Sequence, residues 1–128
     1  MHEIIKSCPR ELGESLSSPI ASLRAALDAL ADAYKAPMHP LLPRPALLLF
    51  SHVASSAYLL EHAIWATKTS EPSRDTDVEV FRRWVVEGGL DVALENVRRV
   101  KNSPVSDRIQ ADASIVYGNG GVKVSARL

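Results

Sequence analysis

The chain has 128 residues, of which 46% are hydrophobic and 23% are charged, and this is the composition of an ordinary globular domain. Its 15 basic and 15 acidic residues balance. Proteins dedicated to nucleic acid usually carry a basic surplus that neutralises phosphate, so this balance disfavours nucleic acid as the main partner. The single cysteine, Cys8, excludes an intrachain disulfide and a thiolate zinc cluster. We expect one domain over residues 1–128.

The hydropathy pattern predicts no membrane span. The longest uninterrupted apolar run, residues 46–50, is far shorter than the ~18 residues that cross a bilayer. The start of the sequence has neither the basic segment nor the apolar core of a secretory signal. We expect a protein that is neither secreted nor inserted in a membrane.

The first predicted element is an amphipathic helix over residues 14–36. Ser18 is predicted as its N-cap with Pro19 in the first helical position, and Pro37 ends it. Residues 37–45 then contain four prolines, which predicts an extended, stiff crossover within the domain. The helix is indicated by apolar residues at a three-four spacing, namely Ile20, Leu23, Leu27, Leu30 and Tyr34.

A second helix is predicted from Ala46 to about Lys68, where neither proline nor glycine occurs. Its apolar residues cover most of the helix circumference, which is typical of a central helix. The sequence Thr76-Asp-Val-Glu79 has the form of a capping box and predicts the start of a third helix, which ends at Gly88-Gly89.

A fourth helix is predicted from Leu90 to Lys101, with Leu90, Ala93, Leu94 and Val97 facing inward, and a fifth, shorter one over about 106–118. Because the other connections are short, we expect an all-α, up-and-down four-helix bundle with an additional short helix and a flexible tail at 122–128. The predicted core comprises Leu49, Val53, Leu60, Ile64, Phe81, Trp84 and Leu94.

Several short segments in the second half of the sequence occur in the same order as in a known family. They are the segment from His52 to Trp65, the Phe81-Arg-Arg-Trp84 helix, the Gly-Gly break, and Tyr117-Gly-Asn-Gly-Gly121. In this respect residues 46–121 resemble the C-terminal helical domain of acyl-CoA dehydrogenases, most closely the alkylation-response-like branch. In that family the domain helps to enclose flavin and acyl thioester and supplies oligomer contacts, while a carboxylate removes the α-proton and the flavin accepts hydride.

The resemblance implies FAD as cofactor, acyl-CoA or a flavoprotein domain as partner, and a homo-oligomer. It places Gly118, Asn119 and Gly120 near the flavin as a cofactor-binding turn; the alternative is a helix C-cap followed by a tail. The family's other two domains do not fit in this sequence, and residues 115–124 contain no Asp or Glu that could be matched to the catalytic base. We therefore expect the chain alone to be inactive and to bind neither flavin nor acyl-CoA tightly.

Other candidate sites are less specific. His52 and Ser56 lie one turn apart, which suits either a nucleophilic couple or a serine bonded to the helix backbone, and the second is more common. Glu61 and His62 are adjacent and so face about 100° apart on a helix, which prevents them from acting as a couple. The spacing of the four histidines predicts no metal site.

Five basic residues form the densest positive clusters: Arg82, Arg83, Arg98, Arg99 and Lys101. They would suit an anion such as the phosphate of acyl-CoA or of nucleic acid. The interleaved acidic residues favour instead a solvated, ion-paired surface. Two classes of function stay open: part of a flavin-dependent acyl-CoA oxidation enzyme, or a non-catalytic helical interaction module that forms a homo-oligomer or a weak nucleic-acid contact.

The final tripeptide predicts a peroxisomal protein; the alternative location is cytoplasmic. Ala126 is small, Arg127 is basic, and Leu128 is aliphatic and carries the chain's carboxylate, as in the Ser-Lys-Leu import signal. A fluorescent protein that ends in residues 122–128 should accumulate in peroxisomes, and deletion of Leu128 should abolish this. Diffuse cytosolic fluorescence of the complete fusion would show that the tripeptide is not a signal.

Overall fold

The computed structural model describes residues 2–118, and the regular secondary structure in this range is entirely helical. The all-α prediction is confirmed for these residues. The helices are α1 (His2–Lys6), α2 (Arg10–Ser15), α3 (Ser17–Ala33), α4 (Pro43–Thr69), α5 (Arg74–Glu87), α6 (Leu90–Asn102) and α7 (Val105–Tyr117).

The central element is α4. It packs against α3, α5 and α6 and also touches α1, while α3 contacts both α5 and α6. This confirms that the long apolar helix is central. The four helices α3 to α6 thus enclose one hydrophobic core, and their arrangement as an up-and-down bundle stays a prediction.

The predicted core residues are buried with one exception, Trp84. Its side chain is 39% exposed, whereas Phe81 and Val85 on the same helix are fully buried. These two residues occupy the inward face of α5, so Trp84 lies on its flank, where its ring approaches the His52 ring with 6.1 Å between centroids. The confirmed core residues are Leu49, Val53, Leu60, Ile64, Phe81 and Leu94.

The start of α4 differs from the prediction. The helix begins at Pro43 rather than at residue 46, so the connector between α3 and α4 covers 34–42 and not 37–45. Pro43 and Pro45 fall in the first turn, where backbone N–H groups have no partner within the helix and the fixed φ of proline suits helical geometry. The prolines therefore open this helix instead of preventing it.

Two short N-terminal helices, α1 and α2, were not predicted. They bury Ile5 and Leu12 against the core, and five or six residues are too few for a helical period to be visible in the sequence. Their presence shifts the start of α3 to Ser17, and α3 ends at Ala33, so the predicted range 14–36 is too long. The N-cap position is held by Leu16 without a side-chain bond, and the prediction that Ser18 caps the helix is wrong.

The predicted capping box at the start of α5 is also absent. The helix begins at Arg74, so Thr76 and Glu79 lie inside it. Ser73 takes the N-cap position and its Oγ donates a hydrogen bond of 2.8 Å to Oδ2 of Asp77. The end of α5 before Gly88-Gly89 is confirmed, as is the inward set of α6, which consists of Leu90, Ala93, Leu94 and Val97.

The additional short helix is confirmed as α7. It packs far less closely than the other long helices, and Ile109, Ile115 and Val116 are exposed along it. The predicted flexible tail, 122–128, lies outside the described residues.

The turn between α5 and α6 generates a stability prediction. Gly89 has φ of +94°, a left-handed conformation that costs other residues about 1–2 kcal/mol. Gly89→Ala should therefore lower the free energy of unfolding, measured by urea titration, by about that amount. Gly13→Ala is the matched control, because the new methyl group would lie an ordinary 3.9 Å from Sγ of Cys8 and alanine favours helix. If Gly89→Ala and Gly13→Ala had the same free energy of unfolding, a side chain at position 89 would not be strained.

Candidate functional site

A long exposed apolar surface lies on one side of α4. Its members recur at helical spacing along the side that α3, α5 and α6 leave uncovered. The exposed fractions are 61% for Leu47, 53% for Phe50, 75% for Tyr58 and 50% for Trp65. Ala54, which is half-buried, lies between them. We call these five residues the outward face of α4.

The outward face is long and has polar edges. At a rise of 1.5 Å per residue it extends for about 27 Å. Glu61 and His62 are exposed beside it. The His62 ring is tilted by 50° against the Trp65 ring with 5.5 Å between centroids, and its Nδ1 is 3.6 Å from Oδ2 of Asp77 on α5. An apolar strip with such a rim is typical of an interface that a partner covers.

The length and composition of α4 also meet the criterion for a helix that could cross a membrane. The 27-residue helix has a mean hydropathy of 1.2 in its most apolar window, of which 33% is buried within the fold. Core helices of soluble proteins pass the same test, so this finding is weak evidence for a membrane. The expectation of no membrane span stays a prediction.

The structure brings His52 and Ser56 together on α4 but gives them no catalytic geometry. The fully buried Ser56 donates its Oγ hydrogen bond to the backbone oxygen of His52 at 2.7 Å. Its hydroxyl is therefore used inside the helix, as the more common of the two interpretations predicts. The His52 ring packs between Trp84 and Gly89, and its buried Nδ1 has no hydrogen-bond partner among the described residues.

Another histidine, His39, is buried in the connector, which the sequence did not indicate. Its Nδ1 accepts a hydrogen bond of 3.2 Å from the backbone N–H of Leu41 and thereby shapes the approach to α4. Glu61 and His62 are both exposed and diverge, as expected for neighbours on a helix. Within residues 2–118 no three metal-ligating side chains lie close enough to hold an ion.

Two of the five basic residues predicted to bind anions already share a carboxylate. Nε and Nη2 of Arg82 each donate a hydrogen bond of 2.7 Å to Glu79, and Nε of Arg83 donates another of 2.7 Å. These hydrogen bonds lower the pKa of Glu79 to about 2, and the interaction in turn raises the pKa of Arg82. This part of α5 is an ion-paired surface.

The other three basic residues lie on α6 but do not all share one surface. The ammonium of Lys101 is hydrogen-bonded to Asp32 at the end of α3. Arg98 and Lys101 line a groove between α3 and α6, whereas Arg99 lines a different groove beside the start of α4. The five residues therefore do not form one common face for an anion.

The remaining predicted site residues lie at the edge of the described chain or beyond it. Gly118 ends α7 with φ of +69° and has no neighbour within 4 Å of where a Cβ would be. Asn119 and Gly120 are outside the described residues, as are Ala126, Arg127 and Leu128. Both the flavin turn and the import signal stay predictions.

The free cysteine is poorly suited to nucleophilic chemistry. Partial burial raises the pKa of the Cys8 thiol, while the charge of Lys68 opposes this shift. A raised pKa lowers the fraction of reactive thiolate at neutral pH.

The Glu79 interaction predicts a specific pH dependence. Because the folded-state pKa is about 2 and the ordinary value is 4.5, the interaction stabilises the fold fully above pH 4.5 and is lost as the pH falls toward 2. Carboxyl-carbon NMR should show this titration in the wild type. In the Arg82→Gln/Arg83→Gln variant the midpoint should return toward 4.5. An ordinary midpoint in the wild type would contradict the described hydrogen bonds.

The comparisons with known proteins give no further assignment of this site. Neither a protein-family model, nor a curated protein, nor a solved structure matches the chain.

Proposed function

We propose that the chain is the acyl-CoA dehydrogenase-like helical domain of a flavin-dependent acyl-CoA oxidation protein and is inactive by itself. Within that protein the outward face of α4 docks against the unit that holds flavin and acyl thioester. The observation that carries this proposal is the exposure of Leu47, Phe50, Tyr58 and Trp65 along one side of the central helix.

The composition of the outward face supports docking. Removing apolar surface from water contributes about 25 cal/mol per Å². Phenylalanine, tyrosine and tryptophan are enriched in the centres of interfaces, where they act as anchors. The charged side chains of Glu61 and Lys68 at the end of the face can remain in water as a polar rim.

The order of the helices supports the choice of partner. The segment from His52 to Trp65 forms most of α4, the Phe81-to-Trp84 segment lies on α5, and Gly88-Gly89 separates α5 from α6. This is the succession in which the sequence resembles the family. A covering role also agrees with Ser56, whose hydroxyl is bonded to its own helix and is not available as a nucleophile.

The outward face also supports a second candidate, a non-catalytic module that forms a homodimer. Ala54 lies midway between Phe50 and Tyr58. Two antiparallel copies of α4 that cross at Ala54 would place Phe50 of each chain beside Tyr58 of the other, which is the self-complementary pairing of a two-fold interface. A nucleic-acid module is less favoured, because Arg82, Arg83 and Lys101 already have carboxylate partners.

Purification of the affinity-tagged protein from its own cells tests the proposed function. The wild-type protein should carry a flavin, whether the flavin-binding unit is on the same polypeptide or another one, and denaturation should release it with its characteristic absorption spectrum. The Phe50→Ser/Tyr58→Ser variant should retain less flavin per chain, because the docking face has lost its aromatic anchors.

The control is Val92→Ser, which replaces an exposed apolar residue on α6, away from the outward face, and should retain flavin as the wild type does. Wild-type protein that purifies without flavin would contradict the proposal. If the chain alone sediments as a dimer and the double variant as a monomer, the homodimer module is supported instead.

A further inference from the structure

A groove of about 520 Å³ lies between the connector, the start of α4 and α6, and α7 reaches its rim. This volume is within the roughly 300–1,000 Å³ of small-molecule sites. Its described lining includes Leu41, Arg44, Leu48, Arg99 and Val100, and we call it the Arg44–Arg99 groove.

Local helix geometry places a guanidinium beside an aliphatic side chain on each wall. Arg44 and Leu48 are four residues apart on α4 and therefore lie on the same side of the helix. On α6, Arg99 and Val100 follow Asn96 by three and four residues and share its side. The two walls thus present the same combination of positive charge and apolar surface.

Both arginines of the groove lack a carboxylate partner within residues 2–118. The side chain of Arg44 has neither an ion pair nor a hydrogen bond there. Arg99 donates a hydrogen bond of 2.6 Å from its Nη2 to the neutral amide oxygen of Asn96. This differs from Arg82, whose guanidinium is hydrogen-bonded to Glu79. A guanidinium has five N–H donors, so both groups keep donors for a ligand.

The apolar part of the groove is also open to a ligand. Leu41 and Leu48 are exposed, and Val100 is half-buried. Asp112 of α7 also lines the groove, and it already has an interaction of its own. Two guanidiniums against one carboxylate leave the groove positive, and the neighbouring aliphatic side chains can hold an apolar body.

The larger groove between α3 and α6, about 790 Å³, lacks this combination. Lys35 and Lys101 line it, but both are paired with Asp32 at the end of α3. Arg98 also lines it, beside the carboxylates of Asp28 and Asp32, but its described apolar lining consists of alanines and the buried Val97 and offers no exposed leucine. Uncompensated arginines next to exposed aliphatic side chains make the Arg44–Arg99 groove the better candidate.

We propose that the Arg44–Arg99 groove binds an apolar carboxylate of the class of a medium-chain fatty acid. The carboxylate accepts hydrogen bonds from Arg44 and Arg99, and the hydrocarbon chain lies along Leu41, Leu48 and Val100. This proposal concerns a different surface from the outward face and does not depend on the proposed function.

Titration of the isotope-labelled chain with dodecanoate, followed by amide NMR, tests the proposal. Binding should shift the signals of Leu48, Asn96 and Val100. Acetate has the same headgroup without the chain and dodecyl alcohol has the chain without the charge, so both should bind at least about tenfold more weakly. Dodecyl alcohol that binds as tightly as dodecanoate would overturn the assignment of the arginines.

Matched substitutions separate this groove from general apolar adsorption. Arg44→Gln and Arg99→Gln should each weaken dodecanoate binding about tenfold, whereas Arg98→Gln, which alters the groove between α3 and α6, should have no effect.

Leu48→Ser should also weaken binding, unlike Leu47→Ser on the outward face. All these side chains are exposed, and circular dichroism of each variant checks its fold. Unchanged affinity in both Arg44→Gln and Arg99→Gln, or signal shifts confined to the outward face, would refute the proposal.

Discussion

The packing of α4 against three other helices is the constraint on which the rest of the structure depends. Leu49, Val53 and Leu60 are buried because α3, α5 and α6 surround one side of this helix. The same packing turns the opposite side outward, since residues at helical spacing have to share a face. The buried core and the exposed apolar strip are thus two consequences of one long apolar helix.

The parts of the fold that could be predicted are those that local sequence determines. The inward residues of α6 follow a clear helical period, and Gly88-Gly89 ends α5 because glycine accepts the left-handed conformation seen at Gly89. The start of α4 could not be predicted from its prolines, because Pro43 and Pro45 are compatible with both an extended connector and a first helical turn. Whether Trp84 is buried or exposed depends on which helices flank α5. The helical spacing of the apolar residues within α5 does not contain that information.

The sequence predicted less of the candidate site than of the fold. A helix that is apolar on nearly all sides does not reveal which side its neighbours leave uncovered, so the outward face emerges only from the packing. The pairing of Arg82 and Arg83 with Glu79 could be predicted, because Glu79 lies three and four residues away on the same helix. The partner of Lys101 could not, because Asp32 is distant in sequence. The sequence does not single out Arg44, because its role depends on the groove that it forms with the connector and α6.

The central claim is that a partner covers the outward face of α4 in the working protein. Hydroxyl-radical footprinting of the chain by itself and of the assembly purified from its own cells measures this directly. Tyr58 and Trp65 should be oxidised readily in the isolated chain and be protected in the assembly, while Tyr34, which is exposed at the end of α3, should react equally in both. Equal oxidation of Tyr58 and Trp65 in the two samples would contradict the claim.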